Sequence, residues 1–194
     1  MTGPSGVGKG TLIRALQQRF PGLELSVSAT TRAPRPGEVD GRDYWFLSEE
    51  EFDRRLEAGE FLEHAAYAAH RYGTLRSEFA RAFAAAAGRD PAEPAGLVLE
   101  IEVEGARQVR AAVPGAAQVF VAPPSLEALR PRLFGRGSDS AAQIEDRLAV
   151  ARRELAAREE FEHVIENDRL EQAVEELVDL VASIWERRAK GARP

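Results

Sequence analysis

GPSGVGKGT, residues 3–11, spaces its glycines as G-x4-G-K: Gly3, then Gly8 and Lys9. Glycines at this spacing let successive backbone N–H groups converge on phosphate oxygens, and a helix starting there adds its positive end. The lysine ammonium would neutralise charge on a transferring phosphoryl group. The strict pattern ends in Ser or Thr, whose hydroxyl binds Mg2+; here Gly10 takes that place and Thr11 follows. Such a loop needs a buried strand to deliver it and a helix to receive it. The helix is predicted from Thr11 to Phe20, with Leu12, Ala15, Leu16 and Phe20 on one face. Only Met1 and Thr2 precede the loop, too few for the strand.

The 194 residues suit one domain with a sizeable core. With 44% hydrophobic and 30% charged residues the chain is not of disordered composition. The absence of cysteine excludes disulfides, thiol catalysis and cysteine metal sites. His64, His70 and His163 are scattered, with no pair at metal-ligand spacing. No apolar run approaches the ~20 residues of a membrane span, and no basic stretch followed by an apolar one opens the chain. A cytoplasmic enzyme without a membrane partner is expected. A net charge of −6 argues against a duplex nucleic-acid partner, and no nucleic-acid partner is expected, so local arginine clusters must supply any anion binding.

Strand-like and helix-like segments alternate, which predicts an α/β fold. Leu23, Leu25 and Val27 alternate as a half-buried strand, and residues 29–43 form a turn-rich loop. Tyr44 to Leu47 is a short strand. Ser48 caps the next helix, with Glu51 at capping-box spacing and Gly59 as the stop. Glu60 to Tyr67 reads as a strand, Arg76 to Ala87 as an alanine-rich helix, and residues 88–96 as a linker. LVLEIEV, residues 97–103, reads as a core strand, followed by a helix over Gly105 to Ala112 and a strand over residues 118–122. Ser125 caps a further helix. GRGSDS, residues 135–140, is a break before a long helix from Ala141 to Glu160. Residues 163–167 form a last strand, and the closing helix buries Leu170, Val174, Leu177, Val181 and Ile184.

SVSATTRAPRPGEVDGRDYWF (26–46), EFLEHAAYAAHRYGT (60–74), LEIEVEG (99–105), VAPPS (121–125) and RLFGRGSDS (132–140) with Arg147 resemble the guanylate kinase family, in its order and with its separations. The resemblance covers Gly3 to about Asp168. It implies a P-loop three-layer sandwich with a parallel core sheet, a small mixed-strand GMP-binding subdomain and a helical lid. The expected division is a single domain with its core in 1–28, 79–134 and 153–194, the GMP region in 29–78 and the lid in 135–152. The implied reaction is ATP-dependent phosphorylation of GMP, and of dGMP, in purine nucleotide recycling, with Mg2+ as cofactor and the small molecules ATP and GMP as partners. Oligomeric state is left open.

The resemblance also implies roles. Gly3, Pro4, Ser5, Gly6, Val7, Gly8, Lys9, Gly10, Thr11 and Asn167 would hold ATP. Lys9, Arg132, Arg136 and Arg147 would stabilise the transferring phosphoryl group. Arg32, Arg35, Tyr44 and Tyr72 would hold the GMP phosphate, since guanidinium forks match phosphate geometry and phenols donate without adding charge. Ser28, Glu63 and Thr74 would read the base, with Gly73 among the GMP-binding residues. A carboxylate accepts guanine N1–H and N2–H2 together and repels the bare N1 lone pair of adenine. Glu102 belongs to GMP binding, and Thr11, Glu100 and Glu102 to the Mg2+ environment. Neighbouring Arg130, Arg152 and Arg153 are expected to pair with surface carboxylates such as Asp139, Glu145 and Asp146.

The chain departs from the family pattern in LEIEVEG, where the family usually reads LEIDWQG. Glu102 keeps the charge and adds a methylene, while Val103 and Glu104 replace an aromatic and an amide. Two other readings stand beside the kinase. A binding module that has lost catalysis would have shed Lys9, Arg32 and Arg35. A kinase for AMP or a phosphorylated sugar would not need Ser28, Glu63 and Thr74. The missing strand before Gly3 is expected to be encoded upstream, with Met1 an internal methionine. The alternative is a short chain whose sheet closes the gap or borrows a strand. As written, the chain is expected to be unstable or feeble.

Overall fold

A computed structural model describes residues 1–67, 69–87, 94–134 and 141–191. Packing divides the chain into two units. The first takes Met1–Pro21 and the chain from Ala117 onward; the second takes the described residues of Gly22–Asp90 and Ala95–Ala116.

In the first unit, α1 (Lys9–Arg19) follows the glycine-rich loop directly. Strands β7 (Val119–Ala122) and β8 (His163–Glu166) pair in parallel, Val119 opposite His163 through Ala122 opposite Glu166. VFVA is buried at all four positions, the continuous apolar run that a two-sided parallel strand needs. Thr2 adds a single parallel bridge to Phe120: its N–H donates to the Val119 carbonyl at 2.9 Å, and its own carbonyl accepts from Val121 N–H at 2.8 Å. That bridge delivers the chain to Gly3. Helices α5 (Leu129–Phe134), α6 (Ala141–Ala156) and α7 (Leu170–Gly191) complete the unit, with a short 3-10 turn at Arg158–Glu160. The core gathers Val7, Leu12, Ile13, Phe120, Leu129, Leu133 and Leu177. The long helix expected to reach Glu160 thus ends at Ala156 and continues only as the 3-10 turn.

The second unit holds a parallel pair, β1 (Gly22–Leu25) with β6 (Ala95–Val98), and a four-stranded mixed sheet in the order β3-β2-β5-β4. These are β2 (Ala29–Thr30), β3 (Trp45–Phe46), β4 (Phe61–Tyr67) and β5 (His70–Leu75). Helix α2 (Glu49–Glu57) starts at Ser48, whose hydroxyl accepts the Glu51 N–H at 3.1 Å. The Glu51 carboxylate binds Arg54 and Arg55, which holds it down to about 2. Phe52 of α2 stacks on Phe61 with ring centroids 4.4 Å apart, closing a core with Ala29 and Leu75. Helices α3 (Ser77–Ala86) and α4 (Val103–Ala112) follow. Buried Glu78 of α3 accepts the Val27 N–H at 2.8 Å and pairs with Arg81, fixing the approach to β2.

Two strands, β2 and β5, fall where the sequence predicts none. The strand expected over residues 97–103 stops at Val98. Its partner β1 ends opposite, at Leu25, and Val103 already belongs to α4. No described helix is long and apolar enough to cross a membrane.

Candidate active site

The glycine-rich loop turns at Pro4, whose carbonyl accepts the Val7 N–H at 3.2 Å. Gly8 caps α1 from the left-handed region, φ 99°, where a side chain would be strained and would also strike Asn167. Its carbonyl accepts from both Thr11 and Leu12 N–H at 3.1 Å, closing the first turn of α1, and no side chain caps that end, the positive end of the helix. Lys9 is 8% exposed and donates to the Gly3 carbonyl at 2.6 Å and that of Pro4 at 3.4 Å. Its ammonium lies on the loop that would cradle phosphates. The Thr11 hydroxyl is exposed on α1 and accepts from Arg14 at 3.3 Å.

Asn167, just past β8, has a place the sequence does not reveal. Its amide donates to the Val7 carbonyl at 2.8 Å, its backbone N–H to the Ala122 carbonyl at 2.8 Å, and its carbonyl accepts from Arg132 at 3.1 Å. It therefore staples the loop to the strand ends and holds Arg132 beside them. Arg147 lies half-buried on α6. Arg136 lies outside the described residues. Arg130 pairs with Glu145 at 2.7 Å, the ordinary surface ion pair expected of it.

In the second unit, β5 organises the remaining candidates. Tyr72 and Thr74 are two residues apart on one strand, so they share a face about 7 Å apart. At one end, the Thr74 hydroxyl donates to Glu63 Oε1 at 2.7 Å, with Glu63 3% and Thr74 0% exposed. Burial pushes the Glu63 carboxyl above its ordinary range; the Thr74 hydrogen bonds oppose this and the Glu102 charge adds to it. At the other end, Tyr44 and Tyr72 meet edge-on at 6.2 Å, and the Arg32 guanidinium lies 5.2 Å from the Tyr44 ring. Burial also raises the Tyr44 phenol. Gly73 points its bare Cα the other way, where a side chain would strike the Phe61 ring.

Arg32 reaches this cluster on a counter-ion that sequence reasoning missed. Its Nη2 donates to both oxygens of Glu38, at 2.8 and 2.9 Å, and Glu38 also accepts the Arg35 N–H at 2.6 Å. Burial works against the guanidinium, but Glu38 outweighs it and raises Arg32; the Arg35 N–H, then Arg32, lower Glu38. The Arg35 side chain is exposed. Ser28 precedes β2, its carbonyl accepting the Trp45 N–H at 2.9 Å. Glu102 is the cap residue of α4 and makes no side-chain cap bond; Glu100 is half-buried in the segment before it.

The structure thus brings Glu63 to Thr74 and Arg32 to Tyr44 and Tyr72, and separately Lys9 to the loop carbonyls. Among the described residues no three His, Asp or Glu side chains gather as a metal cage. Arg32 and Glu38 stand six residues apart in a proline-rich loop, so no fixed local spacing marks the counter-ion in the sequence.

The sequence model for guanylate kinase matches residues 1–184. The chain is similar to the guanylate kinase of Synechococcus sp. (strain JA-3-3Ab), 51% identical over 181 residues, 93% of this chain and 80% of that protein. It is similar to the guanylate kinase of Frankia casuarinae (strain DSM 45818 / CECT 9043 / HFP020203 / CcI3), 50% identical over 181 residues, 93% of this chain and 94% of that protein. The crystal structure of guanylate kinase from Anaplasma phagocytophilum superposes with a TM-score of 0.70 at 27% identity, over 99% of this chain and 84% of that one.

Proposed function

This chain belongs to the guanylate kinase family, and we propose how its residues divide that family's reaction. The protein is a nucleoside monophosphate kinase: it phosphorylates GMP with ATP to give GDP and ADP. An oxygen of the GMP phosphate forms the new P–O bond to the γ-phosphorus while the bond to the β-phosphate oxygen breaks. The attacking phosphate is largely ionised at pH 7, so positioning and electrostatics suffice without a protein base.

Glu63 reads guanine, taking N1–H and N2–H2 on its carboxylate, with Thr74 holding one oxygen, Ser28 beside them, and Gly73 leaving room for the Phe61 ring beneath. Arg32, Arg35, Tyr44 and Tyr72 hold the GMP phosphate. The observation that carries this reading is the single face of β5, with a buried carboxylate at Thr74 and a cationic, phenolic cluster at Tyr72. One strand face thus presents a group suited to each end of a nucleotide. Glu102 acts in GMP binding.

Residues Gly3 to Thr11 hold the ATP phosphates, Lys9 leaving the Gly3 and Pro4 carbonyls for the anion. Arg132, Arg136 and Arg147 stabilise the transferring group, with 135–152 as a closing lid that excludes water. Asn167 serves ATP by fixing the loop. Mg2+ accompanies ATP. Thr11, Glu100 and Glu102 are the residues that would stand in its environment, a hydroxyl and carboxylates of the oxygen type that Mg2+ takes alongside substrate phosphates. When bound it neutralises phosphate charge. dGMP is also accepted, and the enzyme serves cytoplasmic purine nucleotide recycling.

Coupled ADP release with GMP, dGMP, AMP, CMP and UMP tests the reading. Turnover with GMP and dGMP alone is expected; equal turnover with AMP would remove Glu63 from base recognition.

A further inference from the structure

We infer that Gly105 and Gln108, one turn apart on α4, are positioning residues that set where the Glu63 carboxylate stands. The inference rests on Glu63 as the guanine-reading group.

Strand β4 is the outermost of its sheet, so the backbone groups of alternate residues on its outer side have no strand to meet. At His64 the Gln108 amide meets both. Its Oε1 accepts the His64 N–H at 3.1 Å and its Nε2 donates to the His64 carbonyl at 2.7 Å. A planar amide thus supplies the two bonds that a further strand would give, at the residue next to Glu63. Sliding or rotating the strand there breaks both.

Gly105 lies three residues before Gln108 and so on the same helix face. A methyl group built on it would overlap Glu63 Oε2 and stand 3.0 Å from Cδ and 3.5 Å from Cγ. Gly105 has an ordinary helical backbone, where alanine is the better helix former, so its backbone alone does not call for glycine. What glycine supplies is room for the carboxylate against the first turn of α4, the end of a helix that favours an anion. The group in the way is the end of a side chain, not backbone. Alanine at 105 therefore leaves the fold standing and moves the carboxylate.

The test compares Gly105→Ala, Gln108→Leu and Gln108→Asn in the full chain, each alone and combined with Glu63→Gln. KM for GMP is expected to rise about tenfold to a hundredfold for Gly105→Ala, the upper figure being the scale of an ångström's misplacement, and less for the two Gln108 variants. KM for ATP and the melting temperature should stay near their starting values, and the preference for GMP over AMP should fall. On top of Glu63→Gln, each substitution should add little, because the group it positions is already altered. Additive losses, or an unchanged GMP/AMP preference, would overturn the inference. So would a rise in KM for ATP matching that for GMP. If Glu63→Gln alone leaves the GMP/AMP preference unchanged, the base assignment itself fails, a result separate from the failure of Gly105 and Gln108 to couple to it.

Discussion

Thr74 and Glu63 form a closed pair: hydroxyl to carboxylate Oε1 at 2.7 Å across the β4–β5 ladder, with both side chains shut away from solvent. The hydroxyl occupies one oxygen and leaves the carboxylate a defined direction. Glu63→Gln would set a donor amide against guanine donors. The expected loss in kcat/KM for GMP is about 2–4 kcal/mol, from a buried donor left without its partner. AMP should gain relative to GMP, which a two-substrate competition assay reads directly.

The raised Glu63 carboxyl makes recognition and stability respond oppositely to pH. Burial is the main cause. Only the ionised form accepts both guanine donors, so kcat/KM for GMP should fall on the acid side at a pH above the ordinary carboxylate range. In the substrate-free protein the raised group stabilises the fold fully below that range, and this is lost as pH rises through the raised value. Mild acid should weaken GMP use while the Glu63 contribution to the melting temperature grows. Profiles of wild type and Glu63→Gln separate this limb from the titration of the GMP phosphate, which both share.

Lys9→Ala should abolish transfer while GMP still binds. Lys9 bonds to Gly3 and Pro4, whereas the groups proposed for GMP are Glu63, Arg32 and the tyrosines. Calorimetric titration with GMP checks this, and an affinity loss as deep as the activity loss would contradict the assignment.

Asn167→Ala should act on the ATP side alone. It leaves the carbonyl of fully buried Val7 without the amide at 2.8 Å and loosens the loop. A loss of about 1–2 kcal/mol is expected, appearing as a higher KM for ATP at unchanged KM for GMP. Initial-rate kinetics with each substrate varied in turn decides it.

Glu102→Asp should keep or improve kcat/KM. It restores the shorter carboxylate of the family pattern at the cap of α4, where Glu102 makes no cap bond and aspartate is a preferred residue. A drop of more than about tenfold would mean that the pocket has settled around the longer side chain.

The loop and α1 were legible because phosphate binding needs glycines and a cation at a fixed local spacing. Ser48 was legible as a cap for the same reason: its partner Glu51 is three residues away. The two-residue strand Ala29–Thr30 was not, since so short a pairing depends on Gly73 and Tyr72 far along the chain. β5 was missed because His70–Leu75 carries a glycine and a charged residue among its six, masking any alternation. LEIEV alternates convincingly, yet pairing ended with its partner strand at Leu25. The site followed the same rule. Glu63 stood in a quotable motif, but the Gln108 amide reaches a backbone 44 residues away and leaves no local pattern. Only a glycine inside a helix hinted that something stands against Gly105.

The Gln108 amide also covers part of a sheet edge. An outer strand with open backbone groups is an adhesive strip, onto which a strand from another copy can add. At His64 that strip is interrupted from within the molecule, by a side chain that cannot propagate a ladder. If Gln108 positions Glu63 as proposed, nucleotide choice and the protection of this sheet edge depend on one residue. A variant selected for altered nucleotide choice at Gln108 should also prove more prone to concentration-dependent association, visible by light scattering before any loss of fold.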